Sequence, residues 1–137
     1  AKRLWRIYRE VTAPRTIARV ALRYINELSV PVTPEGWGAY LTEFPKLAYA
    51  AEAQPDQFLT RLIVEDRAHP GTTWLITHAL RPNDSTGQWS ILMDFDVFRL
   101  GRFDDDATIW DNAEELRHVK NRLFFGSLTS KAVDLCR

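Results

Sequence analysis

Alternating apolar and polar positions predict four β-strands in this chain. Over 16–30 nearly every even position is apolar, and all of the charged residues are at odd positions. This two-residue period is typical of a strand with one buried face. Shorter alternations occupy 57–66, 72–81 and 88–100, and the short, turn-rich connections between these three favour antiparallel neighbours. Because about fifteen residues is long for one strand, we expect a bulge near Asn26.

Apolar residues at helical spacing predict one helix before the first strand and another after it. Residues 3–12 have an apolar stripe at i, i+4 and i+7, and Pro14 ends this helix. In 33–45, Thr33 is a suitable N-cap and Pro34 a suitable first helical residue. The two stripes are Leu4, Tyr8 and Val11 in the first helix, and Trp37, Leu41 and Phe44 in the second.

A longer helix is predicted after the last strand, at about 112–125. Asp111 is its expected N-cap, and Glu114 three residues later completes a capping box. Thr129 is the expected cap of a last short helix that ends at Leu135. The residues expected to pack the longer helix on the sheet are Leu116, Val119 and Leu123.

The order of these elements predicts an α+β fold. It consists of one antiparallel sheet of about four strands in a meander, helices on one face and a C-terminal helix. A length of 137 residues suits a single domain over 1–137. The apolar content of 45% and the aromatic content of 12% exclude disorder for the whole chain. No apolar run reaches the ~18–20 residues that a membrane-spanning helix needs.

The single cysteine and the first residue bear on the compartment and the length of the protein. Cys136 has no partner for a disulfide within the chain, which favours the reducing cytoplasm. The chain starts at Ala1 without Met and without a signal-peptide pattern. We therefore expect the C-terminal part of a longer cytoplasmic protein.

Charge is balanced overall but uneven along the chain. The 18 basic and 18 acidic side chains cancel, whereas the first 25 residues contain seven basic residues and one acid. A basic stretch is one way to bind phosphates, so nucleic-acid binding is one hypothesis. Overall neutrality favours the other interpretation, in which these are solvated faces paired with acids elsewhere. The candidate basic patch is Arg3, Arg6, Arg9, Arg15, Arg19 and Arg23.

Asp94 and Asp96 are the main candidates for a metal site. They point to the same side of one predicted strand, close to the acidic run 104–106, and carboxylates are the ligands that Mg²⁺ and Ca²⁺ prefer. The spacing matches no calcium loop, and we expect no metal here. If the first and last strands are adjacent, these aspartates form salt bridges across the ladder. The arginines within reach in that case are Arg19, Arg23 and Arg61.

No other motif indicates catalysis. The chain has no Gly-x-Ser-x-Gly element and no phosphate-binding glycine loop. Its three histidines, His69, His78 and His118, lack the spacing of a helical zinc site. We expect His78 to be a hydrogen-bonded, half-buried side chain on a strand. The prediction leans towards a protein that is not an enzyme and has no catalytic residue and no cofactor.

Aromatic residues exceed what a small core requires. They could line an apolar ligand cavity between the sheet and the last helix, or form an oligomer interface. The alternative is that they fill the core. The candidates for a ligand site or an interface are Trp37, Tyr40, Trp74, His78 and Trp89.

Three short segments resemble a family of sporadically distributed, uncharacterised bacterial proteins. Residues 22–28 resemble the family's "RYIN" strand, and 93–96 resemble its "LDID" strand. The family's C-terminal segment consists of a helix, a Phe and a Thr. The part of this chain that resembles it contains residues 116–118, then Phe124 or Phe125, then Leu128 and Thr129. The resemblance implies that this chain is the C-terminal domain of a longer member, and it assigns no catalytic residue. The patchy distribution of this family among bacteria is compatible with its members being mobile-element or defence genes.

Three functional hypotheses follow from these observations. The first is a non-catalytic domain of a bacterial cytoplasmic protein, which binds another protein or associates with itself. The second is a domain of helix-grip type that binds a small apolar ligand, although a helix of about fourteen residues is short for that role. The third is nucleic-acid binding through the basic patch.

Overall fold

The computed structural model describes residues 1–31, 36–43, 45, 57–83 and 87–135. The predictions made for Thr33, Pro34, Phe44 and Cys136 concern residues outside these ranges. The elements in chain order are α1 (Lys2–Thr12), β1 (Ile17–Val30), a 3₁₀ helix (Gly36–Ala39), β2 (Phe58–Glu65), β3 (Thr72–Asn83), β4 (Gln88–Phe103), α2 (Asp106–Ser127) and α3 (Ser130–Leu135).

The four strands form one antiparallel sheet in the order β1-β4-β3-β2. Strands β2, β3 and β4 are the predicted meander, and β1 pairs with β4. The first and last strands are therefore adjacent, which is the condition for the predicted salt bridges. The α+β prediction is confirmed. The bulge expected near Asn26 was wrong, because Asn26 lies directly opposite Met93 in an unbroken ladder. The register shifts instead between Ile17 and Arg19.

The core lies between the sheet and the helices. In β4 the odd-numbered residues from Ile91 to Val97 are almost completely buried, because they face the helices. They belong to two apolar clusters, one beneath α3 and one beneath α2. The first cluster contains Val30, Tyr40, Leu41, Leu80, Ile91, Met93, Phe95, Leu128 and Ala132. The second contains Val20, Val97, Phe103, Ile109, Leu116 and Val119.

Helix α2 begins earlier than the sequence predicts. Asp105 is the N-cap, with extended backbone and a side chain that accepts a hydrogen bond from Thr108 N at 2.8 Å. Asp111 lies within the helix, so the capping box predicted there was wrong. The earlier start buries Ile109 in the second cluster and lengthens the helix to 22 residues. Leu116 and Val119 are buried against the sheet as predicted, and Leu123 is half-buried.

The helix predicted over 33–45 is reduced in the described residues to the 3₁₀ helix. Gly36 has a φ of 69°, which is incompatible with a regular helix at that position. Leu41 instead forms an isolated antiparallel bridge with Leu128. At α3 the predicted cap is confirmed, since Ala132 N donates to Thr129 Oγ1 at 3.3 Å.

Candidate functional site

One face of the sheet points away from the helices. Odd-numbered residues of β1, β2 and β3 and even-numbered residues of β4 lie on this open face, according to the strand register. Its apolar members are Ile25, Leu59, Ile63, Leu75, Leu92, Phe98 and Leu100. Of these, Ile25, Leu59, Ile63 and Leu100 are between 61% and 72% exposed. The open face therefore presents large apolar side chains to solvent.

The charged residues at the centre of the open face form ion pairs. Arg23 donates to both carboxylate oxygens of Asp94 at 2.9 and 2.7 Å, and Arg19 donates to both oxygens of Asp96 at 2.8 and 2.7 Å. The hydrogen bond to Asp94 raises the pKa of Arg23 above its usual value. The Arg19 guanidinium also stacks on Phe98, 4.4 Å from the ring centroid. These contacts confirm the predicted salt bridges between β1 and β4.

Glu27 completes this row of charges at the other end of β1. It accepts hydrogen bonds from Ser90 Oγ and from Arg81 Nη2. The bond from Ser90, then that from Arg81, lowers the pKa of Glu27. Within the described ranges no group of three His, Cys, Asp or Glu side chains is arranged to hold a metal ion.

A groove on the opposite side of the sheet is the second candidate site. It lies between α2 and the inner faces of β2 and β3, has a volume of about 530 Å³ and opens to solvent. Its walls include Thr60, Leu62, Val64, Ile76, Leu123 and Ser127. Trp74, His78 and Arg122 add polar groups to this lining, so the groove suits a ligand with an apolar body and a hydrogen-bonding group.

Two nitrogen atoms beside the groove lack hydrogen-bond partners among the described residues. These are Trp74 Nε1, which can only donate, and His78 Nε2. His78 is half-buried as predicted, but the hydrogen bond expected of its ring is not made at Nε2. Its ring instead contacts Phe95 edge-on, with centroids 5.6 Å apart. Burial lowers the pKa of His78, and nearby Glu43 partly opposes this effect.

Asp66 lies outside the groove but binds Arg122, which lines it. Its side chain is buried and accepts hydrogen bonds from Ala68 N at 2.8 Å, His69 Nδ1 at 2.9 Å and Arg122 Nη2 at 2.9 Å. Burial acts to raise the pKa of Asp66, but the hydrogen bonds from His69 and from the backbone lower it more. Sequence reasoning missed this residue. An Asp at the start of the Pro-Gly turn between two predicted strands is the signal that could have identified it.

The sequence-predicted ligand or interface residues do not form one site. Trp74 and His78 lie together at the groove. Tyr40 is 1% exposed and its hydroxyl donates to the Pro31 carbonyl oxygen at 3.0 Å, so it belongs to the core. Trp89 is half-buried against the first cluster. For Trp37 the structure describes the backbone of the 3₁₀ helix but not the side chain.

The predicted basic patch is dispersed. Arg19 and Arg23 lie on the open face in ion pairs, and Arg9 of α1 pairs with Asp106 at 3.1 Å. Arg3 and Arg6 are exposed on α1, and Arg15 is exposed in the segment that follows it. Half of the patch is therefore neutralised by carboxylates and faces in different directions, which weakens the nucleic-acid hypothesis.

Helix α1 leaves its apolar stripe exposed. It contacts the start of α2 through Trp5, whose Nε1 donates to Asp106 at 2.9 Å, and through Lys2, whose Nζ lies 5.4 Å from the Trp110 ring centroid. The stripe that points outward contains Leu4, Ile7, Tyr8 and Val11. The sequence pattern therefore predicts the helix correctly. The residues that pack it against α2, however, are Lys2 and Trp5 beside the stripe, and not the apolar stripe itself.

Comparisons with protein-family models, curated proteins and solved structures found no match to this chain. The described helices include none that is long and apolar enough to cross a membrane. The open face and the groove are therefore the two surfaces that indicate a function.

Proposed function

We propose that this chain is a non-catalytic interaction domain of a bacterial cytoplasmic protein and that it binds a protein partner with the open face. The observation that supports this proposal is the exposure of Ile25, Leu59, Ile63 and Leu100 on a sheet face that no described helix covers. The family resemblance and the association with mobile-element or defence genes are parts of the same proposal.

The apolar side chains of the open face lie in rows across the strands. Leu59, Ala79 and Leu92 are opposite one another, and Ile63 is opposite Leu75 two rows further along the same face, beyond the row that contains Arg61 and Thr77. Soluble proteins rarely expose contiguous apolar patches of more than a few hundred Å² unless these bind a partner. Burying such a surface releases about 25 cal/mol for each Å² of apolar area.

The ion pairs make the open face suitable for burial. Asp94 and Asp96 have side chains that are only 13% and 18% exposed, and each already has its arginine. Covering a charge that is already paired and hydrogen-bonded costs far less than covering an isolated charge. A partner can therefore cover the centre of the open face without leaving an unpaired carboxylate.

Site-specific photocrosslinking in cells tests this function. A photoreactive amino acid in place of Ile25 or Leu100 on the open face should yield a discrete crosslinked product. The matched control is Arg117, which is exposed on α2, away from the sheet face. Ile25→Lys together with the crosslinker at Leu100 should remove the product. Equal crosslinking from Arg117, or none from either open-face position, would contradict the proposal.

A second candidate function is favoured by the groove. Trp74 Nε1 is a buried donor with no acceptor in the part of the chain that the structure describes, and such groups are rare in folded proteins. A small ligand with an apolar body and a carboxylate would supply that acceptor. The 22 residues of α2 remove the objection that the helix is too short for helix-grip binding.

A thermal-shift screen of aryl carboxylic acids tests the groove. A ligand bound there should raise the melting temperature of the wild type and of the Trp89→Phe control. The Trp74→Phe variant should lose this rise, because it keeps the apolar ring but not the donor. A ligand that stabilises Trp74→Phe as well as the wild type would exclude the groove as its site.

A further inference from the structure

Strand β2 forms one edge of the sheet and pairs only with β3 among the described strands. An edge strand has unpaired backbone N–H and C=O groups that can pair with another strand. On the other edge strand, β1, the charged residues Arg19, Arg23 and Glu27 are already engaged in ion pairs with β4 and β3, so they do not favour pairing with a second copy. Strand β2 has apolar side chains exposed on both of its faces, since Leu59, Leu62 and Ile63 are each more than half exposed.

We propose that β2 pairs in antiparallel orientation with β2 of a second copy of this chain, about a two-fold axis at Ile63. Such an axis is perpendicular to the sheet, so residues at equal distances from Ile63 lie opposite one another on the same face. Arg61 of each copy is then opposite Glu65 of the other, and Leu62 is opposite Val64. Two opposite-charge pairs flank a central pair of isoleucines.

The charges of β2 select this register. An axis at Leu62 would place Arg61 opposite Ile63, and Glu65 opposite Leu59. An axis at Arg61 would place two arginines opposite each other, which is unfavourable. The register centred on Ile63 pairs both charges, and it is specified by residues that are exposed in the single chain.

Arg61 and Glu65 are available for this contact. Within the sheet their cross-strand neighbours on β3 are Thr77 and Thr73, which are uncharged. Neither residue forms an ion pair with a described residue. Four residues apart on one strand, they are separated by about 13 Å along the chain and cannot satisfy each other.

Pairing at this edge would join two sheets into one of eight strands with a continuous open face. The contact involves the edge of the sheet and leaves the open face free, so this inference does not rest on the proposed function. A failure of photocrosslinking from Ile25 or Leu100 and a failure of self-association are therefore separate results.

Charge reversal tests the register. The mass of the purified chain, measured by sedimentation velocity over a range of concentrations, should show a reversible dimer. Arg61→Glu should raise the dimer dissociation constant about tenfold or more, because it creates two like-charge pairs. Arg61→Glu combined with Glu65→Arg should restore the affinity to within about threefold of the wild type. Arg15→Glu is the matched control and should change it little, because Arg15 is exposed in the segment before β1, at the other edge of the sheet.

Crosslinking tests the axis. In a Cys136→Ser background, Ile63→Cys should crosslink rapidly between copies with a short bismaleimide, because residue 63 meets its own copy. Leu59→Cys should not, since the two copies of position 59 would be more than about 20 Å apart. A chain that stays monomeric at all concentrations, a dimer unaffected by Arg61→Glu, or a double reversal that fails to restore the dimer would overturn the proposal.

Discussion

Leu116 provides the most direct test of how α2 is seated on the sheet. Leu116 lies near the middle of α2, and its side chain is 0% exposed in the second cluster. Leu116→Ala removes three carbon groups, which costs about 2.4 kcal/mol at about 0.8 kcal/mol each. The cavity that remains adds about 1 kcal/mol or more, because the surrounding side chains relax only partly. We expect a loss of about 3–4 kcal/mol and a fall in melting temperature of about 10 °C or more.

Urea denaturation followed by tryptophan fluorescence measures this loss, and the chain contains five tryptophans. Leu100→Ala is the matched control, because it makes the same chemical change at a side chain that is 69% exposed on the open face. It should cost less than about 1 kcal/mol. Leu123→Ala should give an intermediate loss, since Leu123 is half-buried. A loss below about half a kcal/mol for Leu116→Ala would mean that α2 presents another face to the sheet.

Three further predictions concern particular side chains. Asp94→Asn and Asp96→Asn should each cost little stability, and calorimetric titration of the wild type with Mg²⁺, Ca²⁺ or Mn²⁺ should show no saturable heat; a micromolar affinity that disappears in Asp94→Asn would show that a metal site exists. Because burial lowers the pKa of His78, the unfolded chain binds a proton more readily, so stability should fall as the pH drops through about 6.5 and below. Urea midpoints between pH 8 and pH 5 measure this fall, which should be shallower in His78→Phe; an identical pH profile in that variant would contradict the assignment. Tyr40→Phe should cost about 1 kcal/mol by leaving the Pro31 carbonyl without its donor, and an unchanged urea midpoint would show that the bond contributes nothing.

Local patterns in the sequence are sufficient to predict the strands and the order of the meander, and they predict the ion pairs of the open face on condition that β1 lies beside β4. Period-two alternation is a local property, and the short turns leave antiparallel neighbours as the main solution. Once β1 is placed beside β4, the positions of Arg23 and Asp94 on the polar faces are sufficient to predict their pairing. Leu116 and Val119 were predictable for the same reason, because helical spacing defines one buried stripe.

The start of α2 was decided by the tertiary structure. Asp105 and Asp111 both satisfy the local rules for an N-cap. The earlier position brings Ile109 into the second cluster and lets Asp106 accept hydrogen bonds from Trp5 and Arg9 of α1. These contacts join residues about a hundred positions apart, so no local pattern contains them.

The two candidate sites were also decided by the tertiary structure. Alternation identifies two faces of each strand, but it does not say which of them the helices cover. Helix α2 packs against β1 and β4, and the groove beside β2 and β3 results from this placement. Trp74 and Arg122 meet there only because the chain returns across the sheet. The Arg122 guanidinium carbon lies 6.0 Å from the centroid of the Trp74 ring. The exposure of Leu59 and Ile63 follows from the same cause, since an edge strand and an uncovered face are properties of the assembled sheet and not of the strand.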